Sequence, residues 1–122
     1  MSWDLVVKDK FSCAHFLKDY KGKCERMHGH TFQIEVYFSV NKLDKSGISI
    51  DFTEIKGYLK DILPDHQVLN EVYDFSPSAE NLSKYFYYKI KEKYHVSKVI
   101  IWESDSAGAV YSEDNTIKKD VS

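Results

Sequence analysis

Alternation of apolar and polar residues predicts two long β-strands in the first third of the chain. In the segment 28–40, His28, His30 and then only apolar residues occupy the even positions, whereas the odd positions are glycine or carry polar groups. This period of two is typical of a half-buried strand, because successive side chains point to opposite faces of a sheet. In the segment 3–15, one parity holds Trp3, Leu5 and Val7 and then Phe11, Cys13 and His15. The intervening segment 16–27 is too long for a tight turn, and we expect it to be a functional or mobile loop.

Apolar residues at helical spacing predict two helices in the middle of the chain. Asp51 begins a capping-box pattern, and apolar residues then recur every three or four positions across 52–62. Further on, Ser76 followed by Pro77 predicts a helix N-cap with proline in the first turn. The apolar face of this second helix continues to about Tyr94.

Two more strands are predicted near the end of the chain, at 98–103 and 109–112, joined by a turn at 105–108. The order β-β-α-α-β-β with sequential strands predicts an α+β fold. In this fold, an antiparallel four-stranded sheet carries both helices on one face. We expect residues 1–122 to form a single domain.

Composition narrows the class of protein. The chain has 122 residues, 43% hydrophobic and 30% charged, with a formal net charge of −2, which argues against a generally basic nucleic-acid binder. No apolar run is long enough for a membrane-spanning helix. Two cysteines are too few for a disulfide scaffold, and the first residues lack the apolar region of a signal peptide. We therefore expect a cytoplasmic protein.

Three histidines form a candidate metal site. His28 and His30 are two positions apart on a predicted strand, so both side chains leave the same face. His15 has the matching parity on the first strand and lies opposite the pair if the two strands form an antiparallel hairpin. Three neutral imidazoles suit zinc and leave a fourth position open for water or substrate. The alternative is that each histidine is a partly buried, hydrogen-bonded residue, but the combination favours the metal site.

Cys24 lies in the long loop, four residues before His28. Three roles are compatible with this position: a fourth metal ligand that closes a structural site, an inert apolar residue, or a nucleophile or base. A zinc ion, together with Lys23 and Arg26, would lower the thiol pKa and favour the thiolate. Cys13 shares the apolar face of the first strand, and we assign it to the core.

Six short blocks of the sequence resemble, in order, the motifs of the 6-pyruvoyl-tetrahydropterin synthase superfamily. They are FSCAH at 11–15, CERMHGH at 24–30, DF at 51–52, DHQVLN at 65–70, PSAEN at 77–81 and WES at 102–104. The three-residue gap between Cys24 and His28 is similar to that of the 6-carboxy-tetrahydropterin synthase branch, which acts in queuosine biosynthesis.

The resemblance implies a tunnelling fold and a zinc-dependent lyase. Members of this branch convert 7,8-dihydroneopterin triphosphate to 6-carboxy-tetrahydropterin, with release of acetaldehyde and triphosphate. The implied zinc ligands are His15, His28 and His30. The implied assembly is a homohexamer of two trimers, with active sites between subunits.

The resemblance also implies roles for four residues near the metal. Cys24 matches the proton acceptor, and His66 matches an acid/base histidine that Asp65 orients. Without the resemblance, Asp65 and His66 are more simply interpreted as a cap pair after the first helix. Glu103 matches the glutamate that anchors the pterin and joins the proton relay. A carboxylate suits this role because it can accept both the ring N–H and the adjacent amino group of a pterin.

Further substrate contacts are predicted at the second helix and in the long loop. Ser78 and Glu80 match substrate-binding positions, although Glu80 is also explained as a favourable charge at a helix N-terminus. Basic residues of the loop are candidates for binding the triphosphate, although a solvated basic loop is the common alternative. They are Lys18, Lys21, Lys23 and Arg26.

Two other functions remain open at the level of sequence. The first is a sister activity on the same class of substrate, which forms 6-pyruvoyl-tetrahydropterin or cleaves dihydroneopterin as an aldolase does. The second is a non-enzymatic zinc module in which Cys24 joins the three histidines as a closed set of ligands.

Overall fold

The computed structural model describes residues 2–18 and 26–113 and has an α+β fold. Its elements, in chain order, are β1 Trp3–His15, β2 His28–Val40, α1 Phe52–Ile62, β3 Gln67–Val68, α2 Leu69–Val72, α3 Ala79–Lys91, β4 Val96–Trp102 and β5 Gly108–Ser112. The α+β class and the four long strands agree with the sequence prediction.

The sheet differs from the prediction in its number of strands. Within the described residues it has five strands in the order β3-β1-β2-β4-β5, so the predicted four-stranded antiparallel sheet is wrong. The fifth strand, β3, pairs in parallel with β1 through Cys13 and Ala14. Since β3 is only two residues long, it cannot display a period of two, and the sequence pattern therefore does not predict it. The four-residue helix α2 is too short to show helical spacing for the same reason.

The two long strands pair in the register that their parity predicts. β1 and β2 are antiparallel from the Trp3–Val40 pair to the His15–His28 pair, with Cys13 opposite His30. The pairing continues without a shift, so every apolar residue of one strand faces the same side as its partner. This register brings the ends of both strands, with their histidines, to one end of the sheet.

The core lies between the helices and one face of the sheet. Phe11 and Phe32 stack across β1 and β2 with ring centroids 5.3 Å apart, and Phe86 of α3 packs edge-on against Phe11. Cys13 belongs to this core, as predicted, and burial raises the pKa of its thiol to about 12. Fully buried helix residues complete the layer: Ile55, Leu59, Leu82, Phe86 and Ile90.

The helix boundaries confirm one prediction and correct the other. Asp51 caps α1 by accepting a hydrogen bond from the Thr53 amide. The second long helix is not capped by Ser76, because the Ser76 carbonyl lies outside it and accepts from the Asn81 side chain. Ser78 is the N-cap instead, with its hydroxyl accepting from the Asn81 amide. This helix, α3, ends at Lys91, earlier than predicted.

None of the helices in the described part of the chain is long and apolar enough to cross a membrane.

Candidate metal centre

Three imidazoles converge where β1 ends and β2 begins. His15, His28 and His30 each offer one ring nitrogen, and these atoms lie within 4.8 Å of one another. Ligand atoms of a tetrahedral zinc site are about 3.3 Å apart, given metal–nitrogen bonds of about 2.0–2.1 Å. Small side-chain rotations therefore suffice to close the three nitrogens around a metal ion. The convergence follows from the strand register that places His15 opposite His28.

His15 is the buried member of the cluster, and its hydrogen bonding fixes its tautomer. Its Nδ1 lies 2.8 Å from the carbonyl oxygen of Pro77. Since a carbonyl can only accept, Nδ1 carries the proton and Nε2 carries the lone pair. Within the described residues, this buried Nε2 has no hydrogen-bond partner. An unsatisfied buried acceptor requires an explanation, and a metal ion directly supplies one.

The His28 ring is oriented in the same manner. Its Nδ1 lies 2.9 Å from the carbonyl oxygen of Arg26, so Nδ1 carries a ring proton and the neutral form of the ring has its lone pair on Nε2. Such backbone contacts hold ligand histidines in the tautomer that binds a metal. Sequence reasoning missed the two carbonyl groups, Pro77 and Arg26, because any residue type can supply a backbone oxygen.

The electrostatics of the cluster favour a neutral ring at His15. Burial lowers the pKa of His15 below its ordinary value of 6.5, and positive charge on His28 or His30 would lower it further. Neutral imidazoles are the form that binds a metal. The donor set of three imidazoles, one with an orphaned buried nitrogen, therefore fits a zinc-type ion.

Glu103 lies beside the three histidines, directly after β4. Its Oε2 atom is 3.6 Å from Nε2 of His15 and 3.8 Å from Nε2 of His30. The backbone is held by a hydrogen bond from the Glu103 amide to the carbonyl of Ala107. Gly108 makes this tight turn possible, because a Cβ there would lie 2.6 Å from the Ile101 carbonyl oxygen. The sequence thus correctly places Glu103 at a strand end, and the structure adds its proximity to the imidazoles.

Asp65 and His66 form a second, separate pair at the edge of the sheet. The Asp65 carboxylate accepts from the Ser12 amide at 2.8 Å, and its other oxygen lies 2.9 Å from Nδ1 of His66. The hydrogen bond from Ser12 holds the Asp65 pKa below 3.8, so this carboxylate is ionised and can orient the imidazole. The residue that caps the end of α1 is Leu63, and the simpler interpretation of the pair as a helix cap is therefore wrong.

The Asp65–His66 pair does not face the histidine cluster of its own chain. The His66 side chain is 82% exposed and lines an open groove with residues of β3 and α2. Its amide bonds to the carbonyl of Ser12, three positions before His15, which is about 10 Å along a strand. His66 also has a φ of 59°, an uncommon conformation that turns the chain from α1 into β3.

The remaining predicted site residues are dispersed around the cluster. Ser78 is the N-cap of α3 and follows Pro77, whose carbonyl orients His15. Glu80 is exposed in the first turn of the same helix. Lys18 and Arg26 are exposed at the two ends of the long loop. The other loop candidates lie outside the described residues: Lys21, Lys23 and Cys24.

The fold and the cluster together define an α+β protein with a three-histidine candidate metal centre at the end of its central strand pair. Residues 4–114 match the family described as 6-pyruvoyl tetrahydropterin synthase. The chain belongs to this family, and the resemblance found in the sequence motifs is thereby confirmed.

Individual relatives agree with the family assignment. The chain is 31% identical to the 6-carboxy-5,6,7,8-tetrahydropterin synthase of Synechocystis sp., with 74% of this chain and 76% of the relative covered. It is 27% identical to the enzyme of the same name from Aquifex aeolicus, with 93% of this chain and 100% of the relative covered. The structure of Caenorhabditis elegans 6-pyruvoyl tetrahydropterin synthase superposes with a TM-score of 0.79 at 24% identity, covering 93% of this chain and 97% of that one. This last likeness shows the shared fold.

Proposed function

We propose that the protein is a zinc-dependent 6-carboxy-5,6,7,8-tetrahydropterin synthase of queuosine biosynthesis. The reaction converts 7,8-dihydroneopterin triphosphate and one water molecule to 6-carboxy-tetrahydropterin, acetaldehyde and triphosphate. The observation that carries the proposal is the buried Nε2 of His15, which has no partner in the described residues and points into a cluster of three imidazoles. Family membership supplies the pterin chemistry, and relatives that carry this name support the branch.

The proposed division of labour follows from the chemistry of the side chains. A zinc ion bound by the three histidines would act as a Lewis acid toward the oxygens of the substrate side chain. Cys24 takes a carbon-bound proton, because a thiolate next to cations has a pKa close to the operating pH. Glu103 accepts the ring N–H and the amino group of the pterin. Its side chain is 39% exposed and therefore accessible to a substrate.

The residues around the cluster supply further substrate contacts in this proposal. Ser78 and Glu80 stand at the N-terminus of α3, close to the carbonyl group that orients His15. Lys23 and the neighbouring basic residues of the loop bind the triphosphate, since each ammonium or guanidinium group pairs with phosphate oxygens.

We also propose that His66 acts in the active site of a neighbouring subunit, within a homohexamer built from two trimers. The exposed Asp65–His66 pair is oriented for acid/base chemistry, yet it lies apart from the imidazole cluster of its own chain. The sheet of the described residues ends at β5, where Val110 is 58% exposed. Such an edge strand is suited to pairing with another chain.

A mixture of two inactive variants tests the shared site. Cys24→Ala and His66→Ala chains, co-expressed with different tags and purified through both, should regain activity. If each site takes Cys24 from one subunit and His66 from another, about a quarter of the sites in the hybrids are intact. Steady-state turnover on 7,8-dihydroneopterin triphosphate measures the recovery. Hybrids no more active than their parents would contradict the proposal.

A matched control uses two residues that one and the same subunit contributes to an active site. Cys24 and His28 belong to the same segment of the chain, so Cys24→Ala and His28→Ala chains should show no recovery when they are mixed.

Product analysis tests the reaction itself. The zinc-loaded protein, incubated with 7,8-dihydroneopterin triphosphate, should yield 6-carboxy-tetrahydropterin, acetaldehyde and triphosphate in mass spectrometry. A 6-pyruvoyl product would instead assign the chain to the sister activity. Glycolaldehyde triphosphate together with 6-hydroxymethyl-dihydropterin would indicate aldolase-like cleavage. Protein treated with a chelator serves as the control and should form no product until zinc is restored. If the zinc-loaded protein converts no pterin, the result would favour the non-enzymatic zinc module.

A further inference from the structure

The segment that follows α1 holds the last part of β1 on the edge that faces away from β2. The Asp65 carboxylate accepts a hydrogen bond from the Ser12 amide at 2.8 Å, and the His66 amide donates to the Ser12 carbonyl. β3 then pairs with the next two residues of β1. Four positions after Ser12, the side chain of Asn70 bonds to the backbone of Phe16. The segment therefore follows the strand up to the histidine cluster.

The Asn70 side chain bonds to both backbone groups of Phe16. Its Oδ1 accepts from the Phe16 amide at 2.9 Å, and its Nδ2 donates to the Phe16 carbonyl at 3.0 Å. A side-chain amide carries both a donor and an acceptor, as a peptide group does. Asn70 thus supplies the pair of bonds that a neighbouring strand would supply. We call these two hydrogen bonds the Asn70 clamp.

The Asn70 clamp lies where both neighbours of β1 stop. In the described part of the chain, β2 pairs with β1 as far as the pair His15–His28, and β3 pairs with it as far as Ala14. Phe16 therefore lies beyond the regular sheet, where unpaired backbone groups would let the strand end fray. The clamp holds the chain one residue past His15, the buried member of the histidine cluster.

A local role does not explain the geometry of Asn70. Asparagine near the start of a helix commonly bonds to backbone groups close by in the sequence. Here the bonded backbone lies 54 residues earlier in the chain, and the N-cap of α2 is Val68, without a side-chain cap bond. The adjacent Leu69 is fully buried. The core therefore anchors the residue that bonds to the strand end.

We infer that Asn70 is a positioning residue of the metal centre, which fixes the backbone that carries His15. The inference rests on the metal centre of the proposed function and deepens it, because Asn70 acts through the backbone and not as a ligand. The Pro77 carbonyl sets the orientation of the His15 ring, whereas the clamp sets the position of the chain from which the ring projects. Both are needed to keep the ring among the other two imidazoles.

The zinc affinity of two variants tests the inference. Asn70→Ala removes both hydrogen bonds, and Asn70→Leu removes them with little change in side-chain volume. Each variant should bind Zn²⁺ about tenfold more weakly than the wild type, since groups that orient metal ligands have effects of this size. Affinity is measured by competition with a chromophoric chelator, and circular dichroism checks the fold.

Hydrogen exchange gives a second readout that needs no metal. In the zinc-free wild-type chain, the Phe16 amide should be protected although it lies outside the paired strands. In both Asn70 variants it should exchange about tenfold faster, because its hydrogen-bond acceptor is gone. Hydrogen–deuterium exchange with fragmentation to single residues measures both rates.

The matched control is Tyr58→Phe. The Tyr58 hydroxyl donates to the carbonyl of Lys89 at 3.1 Å, in the last turn of α3, the end of that helix away from Ser78. The change removes a side-chain-to-backbone hydrogen bond between distant segments, as the Asn70 variants do. It should lower the melting temperature but leave zinc affinity and exchange at Phe16 as in the wild type.

Wild-type zinc affinity in either folded Asn70 variant would overturn the inference, because the clamp would then only stabilise the fold. An unprotected Phe16 amide in the wild-type chain would overturn it as well, and so would an equal loss of affinity in Tyr58→Phe. The proposed function fails by a different result. If zinc affinity depends on Asn70 as described but the zinc-loaded chain converts no pterin, the inference holds and the proposed reaction is refuted. A wild-type chain that binds no Zn²⁺ would refute both.

Discussion

Replacing His28 or His30 by alanine should remove the metal and abolish turnover. Each change leaves two imidazoles from a cluster whose ring nitrogens lie within 4.8 Å of one another, and two ligands do not hold zinc in a catalytic site. Replacing the groups that orient metal ligands already lowers the metal affinity by about 10–100-fold. Removing a ligand itself should therefore lower the metal affinity further. Zinc per chain, measured by elemental analysis after gel filtration, should fall close to zero.

His95→Ala is the matched control for the ligand variants. His95 is an exposed histidine whose Nδ1 contacts the carbonyl of Ser39, near the opposite end of β2. Its replacement removes one imidazole without touching the cluster, and zinc content and turnover should match the wild type. A full zinc complement in both His28→Ala and His30→Ala would refute the assignment of the ligands.

Cys24→Ala should keep the metal and lose turnover by about 10²–10⁴, the usual contribution of a positioned acid or base. In the proposed site three histidines suffice to bind the ion, so removal of the thiol should leave zinc content and melting temperature close to those of the wild type. Stopped-flow or steady-state assays on 7,8-dihydroneopterin triphosphate measure the loss. Cys13→Ala is the control, because Cys13 is buried in the core and the pKa of its thiol is about 12. It should keep its turnover per folded chain.

The same variant distinguishes the base from a structural ligand. If Cys24 closes a tetrahedral site, zinc affinity and thermal stability should fall together, because structural zinc contributes directly to folding. If the variant behaves in this way and the wild-type chain shows no activity on the pterin, the catalytic role of Cys24 is refuted.

Much of the fold follows from the sequence because its signals are periodic. The alternation that ends in His28 and His30 fixes which side chains share a face, and the parity of His15 then fixes the register of β1 against β2. Short elements carry no such signal. β3 has two residues and α2 has four, and both owe their form to pairing with β1 and packing on the core rather than to a local pattern.

In the candidate site, too, some features follow from the sequence pattern and others do not. Side chains on regular strands were placed correctly by parity, as His15 shows. Contacts made through the backbone were not, because a carbonyl such as that of Pro77 can belong to any residue. The Asp65–His66 pair lies between these cases. Its chemistry is visible in the motif, but its position depends on Ser12, 53 residues earlier in the chain.

The carbonyl of Pro77 that fixes His15 belongs to the turn whose next residue, Ser78, caps α3. The start of a helix and the orientation of an imidazole are thus specified by two adjacent residues. Anyone who transplants this three-histidine cluster onto another pair of strands would need to bring this turn, or build a substitute for it. Without it, the His15 ring would be free to rotate and to take the wrong tautomer. The smallest portable unit of the site is therefore a strand pair together with a helix start.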